Sequence, residues 1–420
     1  MKFEAIQESL SAEQQIRHAV LLTFCDPLPT QCSLLRRISC RDWKKLLHWL
    51  DTSGLALYFL DRMLELQRSE MLPPWVLERL QQNLNDNIAR TQRMATESNT
   101  IHREFQHSHL SYATLKGFSL WPLSVPKPWL RSQLDLDFLV AEDHVPEARR
   151  ILEQRGYYLH AVSGKSLEFK TIHAPGRSVK DLYKPLPLRC VELHTEKSDQ
   201  SRPSVLARKH ELDFNDVSIP VLSRSDLFVG QALHLFKHVT SEFSRTAHLV
   251  EFYRHVLARH HDDLFWREVQ AAAEESPKAA LALGVITILT TEVMGNFAPE
   301  ILTSWTVHHV PASVRSWVRL YGCKSVLASF PGSKLYLLLQ RELEREGMPS
   351  KRSLRRSLLP RSLPPAIAYT PPHETVPERI QRYVMQGRFV CFRLRFHLFE
   401  GLRYLYESGK WRQRARRLAF

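Results

Sequence analysis

Two spacings of apolar residues divide this chain. In "DWKKLLHWLDTSGLALYFLDRMLEL", Asp42 to Leu66, apolar side chains recur every three or four residues, and "PPWVLERLQQNLNDNIARTQRMATESNTIHREF" continues the pattern behind a proline pair. That period lines one face of a helix, so helices are predicted from about Ala12 to His107. At "YATLKGFSLWPL" the character changes. Short β-type runs, "LDLDFLV", "SLEFKTIHA" and "LRCVELHTE", surround one helical stretch, "HVPEARRILEQRGY", and predict an α+β section over roughly His109 to Glu196. Helical spacing returns in "SDLFVGQALHLFKHVTSEF", with Ser225 as N-cap and Asp226 in the first turn, and runs to about Glu346. Pro360, Pro364, Pro365, Pro371, Pro372 and Pro377 then forbid a regular helix, before a basic, helix-like end. The expected organisation is a helical region 1–108, a mixed core 109–200, a helical domain 201–350, and a linker with basic tail 351–420. No internal repeat interrupts it.

Within the mixed section, "LRSQLDLDFLV" sets two carboxylates among apolar residues. On a strand, residues two apart share a face, so Asp135 and Asp137 form a unit there and nowhere on a helix. Two close carboxylates repel unless a cation or proton sits between them. A hard divalent ion with oxygen ligands is the simplest remedy, and the simplest alternative is that both point to water. Upstream, Lys116 and Gly117 stand where a helix is expected to begin and where backbone N–H groups meet phosphate. Downstream, Glu192 alternates with Val191 and Leu193 and offers the third carboxylate that a two-metal phosphoryl site requires.

The order "LKG", "LRSQLDLDFLV", a helix ending in "RGY", and "VELH" resembles the uncharacterised nucleotidyltransferase family of the DNA polymerase β-like superfamily. The resemblance extends to the flanks, where helices precede the core and the His-rich "QALHLFKHV" follows it. It implies an α+β fold, with a small mixed-sheet nucleotidyltransferase core embedded in a mostly helical chain. It also implies that Asp135, Asp137 and Glu192 hold Mg²⁺, in two ions and replaceable by Mn²⁺, with Glu192 helping to deprotonate an acceptor hydroxyl. Gly117 would let the backbone approach the phosphates of an NTP such as ATP, with Lys116 and Arg131 neutralising them and Ser119 adding a contact. His194, His234, Lys237 and His238 would line the acceptor cleft. Two departures stand out: the superfamily more often has Gly-Ser at the phosphate turn, and Glu251 stands where relatives tend to have Asp.

Each residue also has an ordinary reading. Lys116 could be a surface lysine, Arg131 could simply pair with an acid, and His234 and His238, one helical turn apart, could line a helix interface or form a metal pair. "SGKSLEF" lacks the glycine a phosphate loop needs five residues before Gly164, where Leu159 stands. There is no G-x-G-x-x-G, G-x-S-x-G or H-E-x-x-H, which removes the common dinucleotide, hydrolase and zinc-protease readings.

Charge alters the picture at one end. The net charge is +14, and from Lys351 to Phe420 sixteen Lys and Arg face four acids. This tail could track nucleic acid or an anionic membrane surface, or be a solvated helix. The polar N-terminus lacks the pattern of a signal peptide, and "AALALGVITIL", Ala279 to Leu289, is too short to span a bilayer and reads as a core helix. Six cysteines without a C-x-x-C pair point to reduced thiols and a cytoplasmic location. Cys25, Cys32 and Cys40 with His18 and His48 match no zinc-finger spacing. The expected function is Mg²⁺-dependent transfer of an NMP group to an acceptor hydroxyl, against a non-catalytic nucleotide or RNA binder, or a scaffold whose acids are structural.

Overall fold

Side-chain caps set several of the helix starts. The computed structural model describes residues 9–171, 181–185, 190–197, 203–215, 217–242, 245–348, 353–360 and 374–418. Ser11 and Gln14 form a capping box ahead of α1 (Ala12–Leu22), and Ser39 caps α2 (Cys40–Ser53), which ends at Gly54 in the left-handed region. After α3 (Ala56–Glu65), a proline at the first turn opens the 34-residue α4 (Pro74–His107).

A mixed seven-stranded sheet follows, with the order β3-β4-β5-β2-β1-β7-β6. Its strands are β1 (Tyr112–Thr114), β2 (Leu136–Ala141), β3 (Tyr157–Ser163), β4 (Ser166–Thr171), β5 (Cys190–Glu196), β6 (His210–Phe214) and β7 (Val217–Val221), with α5 (Val145–Gln154) between β2 and β3. β2 runs antiparallel to β1 and parallel to β5. Alternation gives each central strand an oily face: Leu136, Phe138 and Val140 of β2 and Val191 and Leu193 of β5 pack with Ile101 and Phe105 of α4 and with Ile151 and Leu152 of α5. Burying a side chain such as Phe138 contributes about 1.5–3 kcal/mol. The opposite face is left to carry polar groups.

Four strands lie outside the sequence expectation, the first being the three-residue β1. β3 is an edge strand whose side chains are largely exposed, so it has little apolar alternation to reveal it. β6 and β7 extend the sheet past residue 200, where a purely helical region is expected. Pro220 hides β7 from a sequence reading, because a strand proline loses a ladder donor. β1 pairs with β7 only at Val221, leaving Pro220 opposite Glu211 of β6.

The helical return is α6 (Arg224–Val239), α7 (Ala247–Ala258), α8 (Asp263–Glu274), α9 (Pro277–Met294), α10 (Glu300–Thr306), α11 (Ala312–Trp317), α12 (Cys323–Val326) and α13 (Tyr336–Arg345). Ser223, rather than Ser225, caps α6 by accepting from the Asp226 N–H. α9 contains the apolar run predicted as a core helix, and no helix among the described residues is long and apolar enough to cross a membrane. The prolines from 361 to 373 lie outside the described residues. α14 (Leu354–Leu358) and the 43-residue α15 (Val376–Leu418) stand on either side of them.

A second, larger core joins the two helical regions. Leu21, Trp43 and Phe59 of the first helices pack with Phe228, Phe252, Trp266 and Ile286 of the later ones. α4 serves both cores: Val76 and Leu80 sit in the helical one, and Ile101 and Phe105 in the sheet one. Between them Asn87 donates to the carbonyls of Trp129 and Arg131, and Arg90 to that of Gln133. This long helix therefore fixes the loop that delivers β2.

Candidate active site

The parallel pairing of β2 with β5 puts Asp137 opposite Glu192 and Leu139 opposite His194. With alternate residues sharing a face, Asp137, Glu192 and His194 meet on the side away from α4. His194 Nε2 lies 3.1 Å from Asp137 Oδ1 and 3.6 Å from Glu192 Oε2. One donor atom from each of the three falls within 4.8 Å of the others. Lys116 Nζ donates to the same Asp137 Oδ1 at 2.9 Å, and Ser166 Oγ donates to Glu192 Oε1.

These contacts fix the charges. Asp137 is only 5% exposed. Burial alone would raise its pKa, but the hydrogen bond from His194 and the charge and hydrogen bond of Lys116 outweigh that and hold the carboxyl well below the usual range. The His194 hydrogen bond likewise lowers Glu192, against a smaller upward push from partial burial. Burial would depress His194, yet its two carboxylate partners prevail and raise it. The site thus pairs two carboxylates with Lys116 and with an imidazole whose protonated form they favour.

Gly117 takes φ +68°, and a Cβ there would meet the Gln133 side chain at 2.3 Å. It opens a single 3₁₀ turn, Gly117–Leu120, in place of the expected α-helix. Ser119, in that turn, is buried, and its Oγ has no hydrogen-bond partner among the described residues. Asp135 stands one residue ahead of β2, and its side chain is not one of the three whose donor atoms converge. Its charge acts on Arg131 and Arg245. Arg131 Nε donates to Glu251 Oε1 at 3.1 Å, so this arginine is held by an acid of α7.

His234 and His238 meet each other on α6 and meet His248 of α7, while Lys237 is exposed. His194, read from the sequence as an acceptor contact, lies against Asp137. Gly164 takes φ +62° between β3 and β4, which makes "GKS" a hairpin turn. Ser166, Gln133, Arg245 and His248 were not singled out by sequence reasoning. Only the last carried a signal, the i, i+3 pair His248 and Glu251, whose atoms are 3.0 Å apart.

Residues 39–295 match the family described as uncharacterised nucleotidyltransferase, more than half of the chain. The chain belongs to this nucleotidyltransferase family. The matched span contains the whole sheet, Lys116, Gly117, all three carboxylates and the three histidines, and it ends where α9 ends. Its family and its α+β fold indicate nucleotidyl transfer in general terms. Among solved structures, an antigenic nucleotidyltransferase-like protein from Paracoccidioides brasiliensis is 13% identical, with 50% of this chain and 95% of that one covered, at a TM-score of 0.29. No curated protein matches this chain.

A hard divalent cation is the metal that the family resemblance implies. Two carboxylates in register across adjacent strands, with Asp135 close by in sequence, are an oxygen-rich set that suits a hard cation. Lys116 and His194 both contact Asp137 Oδ1, an oxygen that such an ion would use.

Proposed function

We propose that this protein transfers a nucleoside monophosphate group from an NTP to an acceptor hydroxyl and releases pyrophosphate. The register that places Asp137 opposite Glu192 beside Lys116 carries the reading. In the transfer, the acceptor oxygen bonds to the α-phosphorus, the bond to the β-phosphate bridging oxygen breaks, and pyrophosphate leaves with that electron pair. Glu192 accepts the acceptor proton, directly or through water. Lys116 supplies positive charge to the phosphates, and Gly117 keeps the turn behind it free of a side chain. Mg²⁺, or Mn²⁺ in its place, held by Asp137 and Glu192 with Asp135, would polarise the phosphate and lower the pKa of the acceptor hydroxyl.

Support for catalysis over simple binding comes from Glu192, since a nucleotide binder has no need of a second carboxylate paired in register with the first. Pyrophosphate release tests this in wild type, Asp137→Asn and Glu192→Gln, with Mg²⁺ and a panel of acceptors. Release in wild type and its loss in both variants is expected. A non-catalytic binder would take up NTP with Mg²⁺ and release nothing in any of the three.

A further inference from the structure

Apart from the carboxylates of β2 and β5, helices α6 and α7 bring together a second group of ligating side chains with a different chemistry. His234 and His238, four residues apart on α6, share a helix face, and α7 brings His248 against them. The Nε2 atoms of His234 and His238 are 3.2 Å apart. The three ring centroids are 4.7, 4.8 and 5.1 Å from one another, and one nitrogen of each ring lies within 4.8 Å of the others. Zinc bound tetrahedrally to imidazoles at about 2.0–2.1 Å sets its ligand nitrogens about 3.3 Å apart. The His234–His238 spacing already has that value.

The surroundings match what such a site needs. His248 Nδ1 is 3.0 Å from Glu251 Oε2, and Glu251 is fixed in turn by Tyr58 and Arg131. A carboxylate on the far nitrogen orients the ring, leaving Nε2 to bind metal. Lys116 and Arg131 make the region positive, but each is already paired, with Asp137 and Glu251. We propose that His234, His238 and His248 form a three-histidine site for a borderline divalent cation, Zn²⁺ foremost, with a fourth position left to water or a substrate donor. It is distinct from the oxygen-rich Mg²⁺ site and stands whether or not nucleotidyl transfer does.

The full chain is stripped with a chelator, reloaded with Zn²⁺ alone, desalted and analysed by elemental mass spectrometry. Wild type and Asp137→Asn should each retain one equivalent of zinc, and His238→Gln and His234→Gln should lose it while keeping the wild-type circular dichroism. Co²⁺ should give wild type the visible spectrum of a tetrahedral nitrogen site. If the glutamine variants fail to fold, that spectrum decides alone. Folded wild type without zinc, zinc retained equally by folded glutamine variants, zinc lost in Asp137→Asn, or an octahedral cobalt spectrum would each overturn the proposal.

An independent observation concerns α15. Its inner side docks through Phe396, Tyr404 and Trp411, while Glu400 and Glu407 bond Ser333 and Tyr321 of the body. The outer side exposes Ile380, Val384, Leu394, Leu398, Leu402 and Leu405, with Arg388, Arg395 and Arg412 exposed among them. With Glu400 and Glu407 turned inward, an apolar face set among arginines complements an anionic bilayer, into which such a helix lies flat. Nucleic acid would use the arginines but leave the leucines in water. We infer that α15 seats the protein on an anionic lipid surface.

Co-sedimentation of the full chain with phosphatidylglycerol–phosphatidylcholine vesicles, against phosphatidylcholine alone, tests the inference. Binding should need the anionic lipid, and Leu398→Ser with Leu402→Ser should weaken it by about tenfold or more without changing the melting temperature. Failure to pellet with anionic vesicles, binding indifferent to the leucine pair, or a dimer by light scattering that the leucine variants convert to monomer would overturn it. So would tight single-stranded RNA binding without vesicle binding.

Discussion

Gly117 turns the chain in the left-handed region, and there the space for a side chain is already taken by Gln133. Gln133 could swing aside only by giving up its 2.8 Å bond to the Asp135 carbonyl. Gly117→Ala should therefore cost about 1–2 kcal/mol, read from urea denaturation, and weaken NTP binding by shifting Lys116. The Arg131–Glu251 pair sets a larger penalty. Glu251 is 1% exposed, and Arg131→Met would leave it buried with hydrogen bonds from Tyr58 and His248 and with the more distant charge of Arg245. That variant should lose about 3–5 kcal/mol, and Arg131→Met with Glu251→Met should recover much of the loss, because the buried charge without its bonded partner rather than the missing bridge is what destabilises. At this scale the acids and Lys-Gly of the site were legible, since each sits in a short, chemically specific pattern. The partners Ser166, Gln133 and Arg245 were not, because nothing in sequence spacing links Ser166 to Glu192, 26 residues away.

At the scale of elements, His102 ties α4 to the sheet. It is fully buried, with Nδ1 3.0 Å from the Tyr112 hydroxyl and Nε2 3.4 Å from Thr114. Burial pushes its pKa down to about 4, from 6.5. A folded pKa below the unfolded one gives stability that is complete above about pH 6.5 and is lost as the pH falls through 4. The loss should reach about 3 kcal/mol, and His102→Gln should flatten that part of the stability profile. Urea denaturation across pH 4 to 7 measures both. α9 presents a different constraint, where a Cβ on Gly284 would meet Val310 at 2.5 Å and the Thr306 carbonyl at 2.6 Å. Gly284→Ala should cost about 1–3 kcal/mol by overpacking the approach of α9 to its neighbours. Helices and the two acid-bearing strands were readable because period and burial coincide in them. β1, β3, β6 and β7 were not, since β1 is only three residues long, exposure and Pro220 erase alternation in the others, and strand register lies outside what one strand's sequence encodes.

For the molecule as a whole, the sequence divides the chain into successive regions that the structure packs together. The first helices share a core with those that follow the sheet, and α4 belongs to both cores. A fragment of residues 109–200 should accordingly fail to fold, lacking Ile101, Phe105 and the strands β6 and β7, and its circular dichroism should show no cooperative melt. The family relationship supports a transferase, and the chemistry proposed for it rests on the paired carboxylates Asp137 and Glu192. The most direct test incubates α-labelled NTPs and Mg²⁺ with the protein and extract of its source cell. Label should pass to an acceptor with wild type and not with Asp137→Asn or Glu192→Gln. Equal labelling by all three, or none by a wild type that binds NTP with Mg²⁺, would contradict the account.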